Sequence, residues 1–153
     1  MAAGDIVARG LTSVQILWPP AARPWSRGAE PDAVVARIAD GERTVLLPGD
    51  ISSQVERQLV NSRTLLAGLV LKVAHQGAKS YSSPEFLARV SPQVALVSGE
   101  GSGSRSLPNP ETLTRLRGVG ARVFRPELDG AVTVEMKASS LSVRTYVGGG
   151  LMK

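Results

Sequence analysis

Val70-Leu71-Lys72-Val73-Ala74-His75-Gln76-Gly77 carries an apolar run straight into a His-x-Gly turn. A short apolar run of this kind, bounded by turn residues, reads as a buried strand. A second one, Val45-Leu46-Leu47-Pro48-Gly49-Asp50, ends in Gly-Asp. Between them lies a helical pattern. Ser53-Gln54-Val55-Glu56 fits a capping box, in which Ser53 and Glu56 satisfy free amides at the helix start. Val55, Leu59, Leu65 and Leu66 give that helix an irregular apolar face, and Gly68 ends it. Strand, helix, strand is the unit from which α/β sheets are built.

Working outward, Ala33–Ala39 and Arg43–Leu47 flank Asp40-Gly41, the dipeptide of tight hairpins. Ser13–Leu17 is one further strand-like run, stopped by Pro19-Pro20. Residues 19–32 read as a loop, and Trp18 and Trp25 as covers for an edge of the core. Downstream the alternation continues. Ser83-Pro84-Glu85 opens a short helix to about Val90, and Gln93–Val97 is a strand. Gly99–Ser106 is a Gly/Ser connection. Asn109-Pro110-Glu111 caps a helix ending near Gly118 or Gly120, and Arg122–Arg125 is a strand. Ala131–Met136 and Leu141–Tyr146 form a terminal hairpin. The pattern predicts an α/β sheet with helices packed on one face over residues 1–147, and a flexible tail over 148–153.

Composition bounds what this sheet can carry. The 153 residues amount to one domain or a part of one, and 42% apolar with 20% charged residues argues against disorder throughout. Cys is absent and His75 is the only histidine, so thiolate sites, disulfides and self-sufficient sites of several imidazoles are excluded. No run approaches the roughly 18 apolar residues of a membrane span. Met1–Gly10 lacks the basic and apolar blocks of a signal peptide. The net charge of +5 permits an anionic partner such as nucleic acid, but the basic residues are spread along the chain, which suits a solvated surface as well.

Polar groups at strand ends beside glycine are where α/β proteins place sites. Asp50 is a candidate carboxylate ligand and His75 a candidate imidazole ligand. Each has a plain structural alternative: Asp50 as a cap for the following helix, His75 as a hydrogen-bonded structural residue. The Gly/Ser connection and Arg105 offer amides and a cation to a phosphate, but the loop lacks a P-loop ending and opens no helix directly. Ser80, Ser82 and Ser83 near His75 have no nucleophile-elbow motif around them.

The order of short motifs is itself informative. Val14-Gln15-Ile16-Leu17-Trp18-Pro19-Pro20, Leu47-Pro48-Gly49-Asp50, Lys72-Val73-Ala74-His75-Gln76-Gly77, Ser82-Ser83-Pro84-Glu85-Phe86-Leu87, Leu107-Pro108-Asn109-Pro110-Glu111 and Asp129-Gly130-Ala131-Val132 follow one another. This succession resembles the C-terminal half of the metallo-β-lactamase-fold domain in ComEC-type DNA-internalisation competence proteins, over about residues 4 to 145. The resemblance implies half of an αββα sandwich. It makes Asp50 a bridging metal ligand and His75 a further ligand, both at the catalytic centre, with zinc or manganese as cofactor. The second His of the family's His-His-Gly-Ser turn is Gln76 here, and Leu107 stands where a His is frequent. Glu30-Pro31-Asp32-Ala33 stands where the family has an Asn-rich segment. The family's N-terminal half, with its His-x-His-x-Asp-His motif, is unmatched by this chain.

The implied chemistry is metal-dependent phosphodiester hydrolysis of DNA during uptake. That needs about three protein ligands per catalytic zinc. The expectation is therefore a partial or degenerate domain that binds zinc weakly and hydrolyses little by itself. The alternative is a non-catalytic module that holds DNA or a protein, with Lys72, Lys79 and Arg105 as its DNA contacts. Half a sandwich would also leave one sheet face apolar and open, to be covered by the N-terminal half or by a second copy of the chain. The resemblance further implies attachment to a bacterial inner-membrane channel protein.

Overall fold

The computed structural model describes residues 1–21, 33–99 and 107–147, and the backbone of 151–152. Trp25, the Glu30–Asp32 segment, Arg105 and nearly all of the Gly/Ser connection lie outside the described residues.

Among the described residues, seven strands form one mixed sheet: β1 (Ile6–Arg9), β2 (Thr12–Trp18), β3 (Val35–Asp40), β4 (Arg43–Leu47), β5 (Val70–Lys72), β6 (Val94–Leu96) and β7 (Arg122–Phe124). They lie side by side in chain order. The first four form an antiparallel meander, and β4 to β7 run parallel. The β3–β4 hairpin forms here, but its two turn residues are Gly41-Glu42, between the paired Asp40 and Arg43, with Gly41 at φ +62°. Each parallel step is bridged by a helix: α1 (Ser53–Asn61), α2 (Pro84–Val90) and α3 (Pro110–Gly118). Crossovers of one hand put all three on the same face. Thr44 Oγ1 accepts the Leu69 amide at 3.0 Å, which fixes β5 against β4.

Alternation along the strands divides the apolar residues between two layers. Leu46, Leu71 and Ala95 face the helices, where Val55, Leu59, Phe86, Leu87, Val90 and Leu116 close the larger core with Trp18 at its edge. Val45, Val70 and Val94 face the other way. A second sheet covers them: β8 (Val132–Lys137), β9 (Ser140–Thr145) and β10 (Leu151–Met152), in the order β10-β9-β8. Val143 of β9 is buried against Val70, Val94 and Phe124, with Val132, Val134, Met136 and Leu141 around it.

Four features differ from the sequence reading. Across β5–β7, the face expected to lie open is covered by the chain's own C-terminal hairpin. Leu151–Met152 pairs with β9, inside the segment read as a flexible tail. β1 pairs with β2 where only one strand was legible, because all four of its residues are exposed and show no alternation. One short helix, α4 (Pro126–Asp129), was also not legible. Among the described residues, no helix is long and apolar enough to cross a membrane.

Candidate functional site

β4 and β5 are neighbours and parallel, so their C-terminal ends open side by side. After β4 the chain turns through Pro48-Gly49. Gly49 has φ +60°, and a Cβ there would stand 2.9 Å from the Val34 carbonyl oxygen, so only glycine fits the turn. The next residue is Asp50. After β5 the chain enters a tight kinked turn, Ala74–Gly77, in which His75 (φ +45°) and Gln76 (φ +52°) are left-handed. That conformation is costly for residues with a Cβ and persists only where neighbours hold it.

Asp50 and His75, far apart in sequence, meet at these two ends. The His75 amide donates to Asp50 Oδ1 at 3.2 Å, and His75 Nε2 donates to the Asp50 carbonyl oxygen at 2.8 Å. A carbonyl only accepts, so a proton sits on Nε2, and Nδ1 is the ring nitrogen that this bond leaves over. Tyr81 stacks on the imidazole with ring centroids 3.8 Å apart and planes 22° from parallel. Lys72, the last residue of β5, is half-buried and donates from Nζ to the Val73 carbonyl at 3.2 Å. Burial holds its ammonium below the usual lysine range; the nearby Asp50 carboxylate opposes that shift without cancelling it.

The other candidates stand differently. Gln76 is exposed, and Lys79 is an exposed cation paired with Glu111 at 2.7 Å. Three contributors to the surroundings were not legible. Tyr81 carried no motif. Arg115 looked like an ordinary basic residue in a last helical turn. In the sequence Glu56 fits half of a capping box with Ser53, but the cap is Ser52, whose Oγ accepts the Val55 amide at 3.4 Å. Glu56 is fully buried, and its carboxylate accepts the amides of Ser82 at 2.6 Å and Ser83 at 2.9 Å. The signal available was an acid directly beside Val55 and one turn before Leu59, on the apolar face.

The arrangement supplies a carboxylate oxygen, one imidazole nitrogen and an ammonium. Among the described residues no group of three or more His, Cys, Asp or Glu side chains could hold a metal ion. Among the described residues the two donors, Asp50 tied to a backbone amide and near Lys72, and His75, do not make the donor set of a catalytic zinc or manganese site.

No family model matches the chain. Individual relatives do. The chain is 25% identical over 134 residues to ComE operon protein 3 of Bacillus subtilis, covering 88% of this chain and 17% of that protein. It is 29% identical over 119 residues to Recombination protein 2 of Haemophilus influenzae, covering 78% and 15%. Against Competence protein ComA of Neisseria gonorrhoeae it is 31% identical over 99 residues, covering 64% and 14%. The chain thus spans about a sixth of the length of the curated relatives it matches. The chain is thus similar, at 25–31% identity, to parts of proteins named for competence and recombination.

Proposed function

We propose that this chain is the part of a metallo-β-lactamase-type domain that carries the Asp and His of a DNA-uptake nuclease centre, and that by itself it is silent in phosphodiester hydrolysis. The observation that supports the reading is the meeting of Asp50 and His75 at the open ends of two adjacent parallel strands. Strand ends of this kind are where α/β sheets hold ligands. The missing donors would come from a companion segment carrying the His-x-His-x-Asp-His motif.

Elemental analysis of the purified protein, beside Asp50→Ala, tests this. The expected result is far less than one zinc or manganese per chain in both, with no cleavage of single- or double-stranded oligonucleotides when either metal is added. Stoichiometric metal and nuclease activity, both lost in Asp50→Ala, would overturn the silence.

The second reading is a non-catalytic module for DNA. Its support is the cross-bracing of Asp50 and His75, which gives both residues a structural task. Its cations would be Lys72, Lys79 and Arg105. Binding to oligonucleotides should then weaken steeply between about 50 and 200 mM salt, as counterion release requires. Absent or salt-insensitive binding removes this reading.

A further inference from the structure

The segment between His75 and α2 is held from two sides. Glu56, on α1, takes the Ser82 and Ser83 amides from below. Arg115, on α3, takes the carbonyls: Nη2 donates to Lys79 O and Tyr81 O, both at 2.8 Å, and Nε donates to Ser82 O at 3.1 Å. Thr112, one turn earlier, donates to Ala78 O at 3.2 Å and accepts from Arg115 Nη2 at 3.0 Å. Between these partners Ser82 is buried at φ +56°, a backbone state that a serine does not hold without them. Tyr81 sits between the clamped carbonyls, and its ring lies on His75.

We propose that Glu56 and Arg115 form a two-sided backbone clamp that seats Tyr81 against the His75 imidazole, making Glu56, Arg115 and Tyr81 positioning residues for this site. A stack of two partly exposed rings is too weak to order the loop that carries one of them. The loop is ordered first, by a buried carboxylate and a guanidinium, and the stack follows. The imidazole is then fixed on two sides, by the Asp50 carbonyl at Nε2 and by the Tyr81 ring on its face. Its Nδ1, which has no hydrogen-bond partner among the described residues, is left pointing in one direction. Because α1 starts at Ser53, three residues after Asp50, Glu56 also ties the Asp50 strand end to the loop that orients His75. The inference takes from the proposed function only that Asp50 and His75 are the site.

The test uses the only histidine in the chain. Its ring protons give one isolated pair of proton NMR signals, displaced by the Tyr81 ring current. Tyr81→Leu defines the unstacked position, and Tyr81→Phe should leave the signals in place. Arg115→Met and Glu56→Gln are expected to move the His75 signals most of the way to the Tyr81→Leu position, while the Trp18 indole signal stays put. Should Glu56→Gln fail to fold, Arg115→Met, at a half-buried position, decides. Wild-type His75 signals in a folded Arg115→Met protein would overturn the clamp, and no movement in Tyr81→Leu would overturn the stack. None of these readings depends on metal or on DNA cleavage, so an inert or an active wild-type protein judges the proposed function separately.

Discussion

A Cβ on Gly77 would stand 2.7 Å from Pro108 Cβ and 3.0 Å from Val97 Cγ1, on a backbone at φ +77°. Both neighbours are buried, so neither yields easily. Gly77→Ala should therefore cost about 1–3 kcal/mol, from the backbone state and the overpacking together, read from urea midpoints. Lys72 makes a prediction of opposite sense. Its folded pKa lies below the unfolded one, so over the alkaline window between the two the unfolded chain binds more protons, and stability rises with pH. Compared with Lys72→Met, wild-type protein should gain relative stability as pH is raised from 7 towards 10; a pH-independent difference would contradict the burial. At this scale Asp50 and His75 are legible in the sequence because each follows an apolar strand and adjoins a glycine turn. Glu56 is not, because its partners, Ser82 and Ser83, lie far along the chain, whereas Ser-x-x-Glu is a local pattern that many helix starts share.

The helices and strands carry their own consequences. α1 is capped by Ser52 and not by Ser53. Ser52→Ala should lower stability by about 0.5–1 kcal/mol, while Ser53→Ala should stay within about 0.5 kcal/mol of wild type; equal losses in chemical denaturation would restore the capping box. The elements that are legible are those that bury one side, since burial writes a period into the sequence. Val45-Leu46 and Val70-Leu71 show it, each pair sending one residue to each core. β1 and α4 bury none of their residues and leave no such trace. β10 follows three consecutive glycines, a context that reads as a loose end, and its existence depends on a partner strand already in place.

For the molecule as a whole, the two cores are unequal, and the smaller depends on one hairpin. Val143 is 1% exposed at its centre. Val143→Ala should cost about 2 kcal/mol, from two lost methyl groups and the void they leave. Deleting residues 131–153 should uncover Val70, Val94 and Phe124 together, and sedimentation should then show mass rising with concentration. A truncated protein that stays monomeric would mean that the hairpin is not the cover it is described as. The layer order was only half legible. Alternating strands and helices give a sheet with helices on one face, but the terminal hairpin reads alike whether it extends the sheet or folds over it. The choice is made by packing that no local pattern records.

The seven strands of the main sheet stand in the order in which they are synthesised. As the polypeptide leaves the ribosome, each new strand finds its neighbour already made and never waits for a distant mate. The sheet can grow by single additions from its first hairpin, each closing only the one connection behind it, a turn or a helical crossover.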